Sequence, residues 1–171
     1  MRAMAFTEFG AALGTADLPV PQPGPGEVLV RVLASSVNGF DLGVLGGYLK
    51  DVFAYEFPVV LGKDFAGTVA ATGDGVTGVR TGDQVFGVVM RPTLGQGGFA
   101  EYVVVSEQYG LARIPEGLDH ARAGVLGLAG TAALNAIDAV APRRARSCSS
   151  RARRAAWARS PSSSPPPGAP P

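Results

Sequence analysis

The chain changes composition abruptly at Pro142, and this break limits what can fold. Residues 143–171 hold only Arg (7), Ser (7), Pro (6), Ala (6) and one each of Cys, Trp and Gly. The stretch has no acidic residue and no Val, Leu, Ile, Phe, Tyr or Met. It cannot bury enough apolar surface to offset the entropy lost on ordering, so a disordered tail is expected there. Any core must therefore come from residues 1–142, a length that suffices for one domain.

The same break divides the charge. The whole chain is formally +1, but residues 1–142 carry 8 Lys/Arg against 14 Asp/Glu, and the tail carries seven positive charges. The near-neutral average thus says nothing about partners. The Arg run at 151–154 suits nonspecific phosphate contact at most, and only Trp157 accompanies it, so no nucleic-acid partner is expected. The lone cysteine, Cys148, excludes a disulfide framework and a thiolate metal cluster. No apolar run is long enough to span a bilayer, and the start MRAMAFTEFG lacks a signal-peptide pattern. A cytoplasmic protein without a membrane partner is expected.

Local patterning predicts mostly strands. Residues 2–6 open with one, and the turn-rich connector VPQPGPGE covers 20–27. In 27–37, Val28, Val30 and Val32 alternate with Leu29, Arg31 and Leu33, as in a largely buried strand. Further strands are predicted at 65–71, 84–89, 100–105 and 110–114, with one or two helical turns at 40–48. Gly/Asp turns at 73–75 and 82–83 separate strands. Residues 116–140 are Ala/Leu-rich, and Asp119 can cap one or two helices broken near 127–130. The fold class expected is mainly β with some helix. The expected divisions are 1–115, a helical segment at 116–142, and the tail at 143–171.

The densest motif is LGKDFAGTVAATGDGVTGVRTGDQVFG at 61–87. Its Gly62, Asp64, Gly67, Gly73, Gly82 and Asp83 read as turn and strand-packing residues. The GQGG run at 95–98 precedes a strand instead of following one and opening a helix, so it is not a nucleotide-binding turn. His120, the only histidine, stands at a helix start and is expected to face solvent.

The 61–87 motif does not stand alone. PGPGEVLVRV and SVNGFD lie upstream, and GGFAEYVVV, IPEGL and LGLAGTAALNAI downstream. In this order and spacing, residues 1–142 resemble the medium-chain dehydrogenase/reductase superfamily. The resemblance implies a GroES-like β-barrel domain whose final helix leads to a Rossmann domain. Zinc-dependent members hold catalytic zinc with Cys, His and Cys. Here Asn38, Lys63 and Leu128 stand at those positions, and none is a zinc ligand under ordinary conditions. The four-Cys lobe is also absent. The chain is thus similar to the zinc-free quinone oxidoreductase (zeta-crystallin-like) branch, whose members reduce quinones, enones or other activated alkenes with NADPH. Many are homo-oligomers. The resemblance places Asn38 beside the nicotinamide end of the cleft and gives Asp41 the task of orienting the loop. Tyr48 becomes a substrate-side residue, although it sits one residue off the usual register. Thr131 lies beside a position that often contacts cofactor.

A dinucleotide fold needs a glycine-rich strand–turn–helix to hold the pyrophosphate, and none follows Pro142. Read one base back, the codons of the tail change meaning. The Trp157–Ala158 junction then encodes Gly in every case, and the Ala156–Trp157 junction encodes Val, Leu or Met. With suitable third bases, 147–171 reads as an apolar strand, a glycine turn and an amphipathic helix. The expectation is a frameshifted gene whose product is a truncated form without the Rossmann domain, inactive by itself. The competing expectation is a non-catalytic β-domain that acts by binding a partner.

Overall fold

A computed structural model describes residues 1–140. Ten strands and three helices follow in order: β1 Arg2–Phe6, β2 Gly14–Asp17, β3 Glu27–Ala34, α1 Gly39–Leu45, β4 Ala54–Tyr55, β5 Val59–Val60, β6 Asp64–Thr72, β7 Gln84–Val88, β8 Thr93–Leu94, β9 Tyr102–Ser106, β10 Leu111–Arg113, α2 His120–Ala123 and α3 Leu128–Val140. The tail expected at 143–171, including Cys148 and the 151–154 run, lies outside the described residues.

The central sheet has the order β10-β7-β6-β3-β9, all antiparallel. Its core is written in the period of two expected of strands. Val28 and Val30 of β3, Phe65 and Val69 of β6, Val85 and Val89 at β7, and Val103 and Val105 of β9 form one buried cluster. Gly67 falls in this series where a side chain would be expected. A Cβ there would overlap the Arg31 carbonyl oxygen of the neighbouring strand, so only glycine lets β3 and β6 approach.

A smaller sheet, β2-β1-β5, joins the central one through residues 99–101. The Met4 N–H donates to Phe99 O at 2.7 Å, and the Glu101 N–H donates to Arg2 O at 3.1 Å. Glu101 O in turn accepts from the Val32 N–H at 2.9 Å, so one segment hydrogen-bonds to both sheets. The result is a curved, half-barrel β-domain. A second apolar cluster, with Phe6, Val44, Val59, Leu61 and Leu94 at its centre, seats α1 against this edge.

The strand predicted over 27–37 ends at Ala34. Ser35 and Ser36 instead turn their hydroxyls onto Asp64, which takes the backbone out of the ladder. Strands β2, β4, β5 and β8 were not expected from the sequence: each has four residues or fewer and lacks the apolar, turn-flanked pattern that marks the equally short β10. Asp119 caps α2 as expected, accepting from the Arg122 N–H at 2.7 Å. His120 differs from its expected solvent-facing place: the residue is half-buried, and its Nε2 is buried with no hydrogen-bond partner among the described residues. No described helix is long and apolar enough to cross a membrane.

Candidate active site

The chain's fully buried carboxylate marks the site. Asp64, the first residue of β6, has no exposed surface. An ionised carboxylate in such a place must have its oxygens satisfied. Its Oδ2 accepts from Ser36 Oγ at 2.5 Å and from Asn38 Nδ2 at 3.0 Å. Its Oδ1 accepts from the Leu128 N–H at 2.7 Å, at the start of α3. Asn38 Nδ2 also donates to Ser36 Oγ at 3.2 Å, which closes a triangle of three side chains. Gly127 borders the triangle. A Cβ there would lie 2.6 Å from Asp64 Oδ1, so the approach of α3 to the carboxylate requires glycine.

Asp41 forms a second knot beside the first. It occupies the first turn of α1, with Oδ2 accepting from the Asn38 N–H at 2.8 Å and Oδ1 accepting from the Gly62 N–H at 3.1 Å. Burial pushes its carboxyl up from the ordinary range, and these backbone donors pull against that shift. Gly62, at φ +100°, is in the left-handed region, and a Cβ there would lie 2.6 Å from the Phe99 backbone nitrogen.

Lys63 lies between the two carboxylates in sequence and makes its own contacts. Its Nζ donates to Val89 O at 2.7 Å and sits 4.8 Å from the centre of the Phe40 ring. Burial pulls the ammonium down from its usual range, and the Asp41 charge partly restores it. The positions compared above with zinc ligands thus hold an amide and an ammonium that the protein itself satisfies. Among the described residues, no group of three or more His, Cys, Asp and Glu is arranged to hold a metal ion.

The structure therefore brings Asn38, Asp41, Gly62 and Asp64 together. Tyr48, on the turn after α1, is 84% exposed and makes no hydrogen bond to this network. Thr131 is exposed on α3 and also lies outside the network. Gly67 lies further along β6. Gly82 and Asp83 belong to the turn before β7, where Asp83 pairs with Arg113 at 2.8 Å. Sequence reasoning missed Ser35, Ser36 and Gly127. A pair of serines directly after a buried strand was the available signal for the first two. A pocket of about 280 Å³ near Leu18, Phe57, Pro58 and Tyr102 shares no residue with the network and holds no comparable cluster of buried charge.

Residues 24–116 match the family described as the alcohol dehydrogenase GroES-like domain. The chain belongs to that family. Its fold is that of the GroES-like domain of the medium-chain dehydrogenase/reductase superfamily, as the half-barrel and its element order show. This GroES-like domain is 37% identical over 119 residues to the chloroplastic quinone-oxidoreductase QR1 of Triphysaria versicolor, covering 68% of the chain and 36% of the relative. It is 38% identical over 128 residues to the trans-enoyl reductase FMN2 of Fusarium mangiferae, covering 75% of the chain and 31% of the relative. Among solved structures, the mycobacterial protein Rv1454c complexed with NADPH superposes with a TM-score of 0.69 at 31% identity, covering 84% of the chain and 42% of that protein. The GroES-like chain spans about a third of the length of the curated relatives it matches.

The pyrophosphate of such a cofactor is held by open N–H groups at a helix start. Here every described helix start already carries a carboxylate: Asp41 at α1, Asp119 at α2 and Asp64 at α3. These residues do not fit a dinucleotide pyrophosphate.

Proposed function

We propose that the chain is the substrate-side domain of a zinc-free, NADPH-dependent quinone or enone reductase. The arrangement that carries this reading is the self-satisfied pair at the former zinc positions. Asn38 is bonded to Asp64 and Ser36, and Lys63 to Val89 O, so neither is a metal ligand in waiting. Relatives named as quinone and trans-enoyl reductases support the substrate class, and the NADPH-bound neighbour supports the cofactor. In this reading Asn38 and Thr131 face the cofactor and Tyr48 faces the substrate. The protein acts in the cytoplasm on small molecules, without nucleic acid or membrane, and its intact form is a homo-oligomer.

The chain by itself is not expected to hold NADPH, because the helix starts among the described residues carry carboxylates, which repel a pyrophosphate. Titration of the purified chain, followed by NADPH fluorescence, is expected to show no saturable micromolar binding. Saturable binding would overturn this part of the reading. The family activity has its own test. Sequencing the locus is expected to show the glycine turn encoded in the adjacent frame. The frame-restored protein is expected to oxidise NADPH with a benzoquinone acceptor at a rate unaffected by a zinc chelator. Loss of activity in chelator would refute the zinc-free assignment.

A further inference from the structure

We propose that Lys63 is a site of covalent capture, where the amine condenses with compact aldehydes and ketones to form an imine. Neither a cofactor nor a hydride enters, so the site stands apart from the reductase reading. Lys63 is half-buried, and an ammonium in such a place calls for a counter-charge. No carboxylate among the described residues is in contact with it. The Asp41 charge reaches it, but both Asp41 oxygens are taken by backbone N–H groups, of Asn38 at 2.8 Å and of Gly62 at 3.1 Å. Asp64, the next residue, spends its oxygens on Ser36, Asn38 and Leu128. Arg91, a second cation on the same small cavity, is held by Glu27 at 2.9 Å and by Val104 O at 3.1 Å. Lys63 thus carries its charge without an ion pair.

Val89 O takes one of the three ammonium hydrogens, at 2.7 Å, and no other oxygen among the described residues accepts from Nζ. That contact needs a hydrogen and no charge, so it survives loss of a proton. Val89 is fixed in return, because its N–H donates to Lys63 O at 2.7 Å. The neutral amine is then anchored with a lone pair uncovered, 4.8 Å from the centre of the Phe40 ring. Desolvation beside apolar groups is what makes a lysine amine attack carbonyl carbon. The cavity that Lys63 borders measures about 20 Å³, room for one water-sized group, so the electrophile is a compact one. The step needs no co-reactant. Nζ forms a bond to the carbonyl carbon while the C=O π pair moves to oxygen. That oxygen takes a proton from nitrogen, then leaves with the second nitrogen proton as water, and C=N remains. Nothing is oxidised or reduced.

The chain offers an internal reference, because it has only two lysines and the other, Lys50, is exposed. The full chain is treated at neutral pH with limiting acetaldehyde and cyanoborohydride, which fixes each imine as an N-ethyl group. Peptide mass spectrometry then reads both lysines. Lys63 is expected to be ethylated about fivefold or more faster than Lys50. Equal rates, or a slower Lys63, would overturn the proposal without any mutation. In concentrated urea the two rates are expected to converge. A preference for Lys63 that survives unfolding would place its cause in the local sequence and refute the role of the folded site. Neither readout depends on NADPH or on reductase activity, so failure of the functional reading leaves both unchanged.

Discussion

At Gly67 and Gly82 the same residue type is required for different reasons, and the two alanine variants separate them. Gly67 has an ordinary strand conformation but lies against the Arg31 carbonyl. Gly67→Ala must push β3 and β6 apart, and overpacking of this kind costs about 1–3 kcal/mol. Gly82 has φ +95° and open space around its Cα. Gly82→Ala therefore pays only for the left-handed backbone, about 1–2 kcal/mol. Urea denaturation checks both, and hydrogen exchange distinguishes them. Only Gly67→Ala is expected to speed exchange along the β3–β6 ladder. Lys63 supplies a third residue-scale test. Its folded pKa is depressed below 10.5 because burial disfavours the ammonium. Its contribution to stability is then present above 10.5 and lost as pH falls through the lowered folded value. Stability relative to Lys63→Met is expected to rise as pH approaches 10.5 from below. A pH-independent difference would show that the amine is not desolvated as described. The sequence made the special character of Gly62, Gly67 and Asp64 legible through their spacing. It could not show that Asp64 reaches Leu128, because donor and acceptor stand 64 positions apart in the chain.

At the scale of elements, long patterned segments were legible, and of the strands of four residues or fewer only β10 was. Strands β3, β6, β7 and β9 were legible because each is rich in apolar residues, with valine alternating cleanly along β3, and their buried faces form the core. The two-residue strands β4, β5 and β8 hold their places through pairing with distant partners, for example Tyr55 opposite Leu94, and local sequence contains nothing of that. Helix α2 was readable at its cap. Asp119 satisfies the Arg122 N–H of the four-residue α2, whose Ala123 is completely buried. Asp119→Ala is expected to destabilise the chain by about 1 kcal/mol. The loss should be uniform across neutral pH, as measured by thermal melts at pH 6 and pH 8. A cost near zero would mean that α2 is held by packing of Ala123 alone.

At the scale of the whole molecule, the break at Pro142 leaves apolar surface for which the described residues provide no cover. In α3, none of the 13 residues is buried, and Leu134, Ile137 and Val140 are all exposed. Residues three apart on a helix share a face, so Ile137 and Val140 form an apolar stripe. Leu42, Tyr48 and Val52, around α1 and the turn after it, are exposed as well. Surface of this kind drives association when nothing else covers it. The chain is expected to self-associate as its concentration rises in sedimentation velocity experiments. The double substitution Ile137→Glu and Val140→Glu places charge on the stripe, at positions that take no part in the buried core. It is expected to shift the chain toward monomer while leaving the urea midpoint of the β-domain within about 0.5 kcal/mol of the parent. A parent chain that stays monomeric at high concentration would show that the stripe is too small or too dispersed to pair. An unchanged association in the double variant would instead move the contact surface to the α1 side, around Leu42 and Val52.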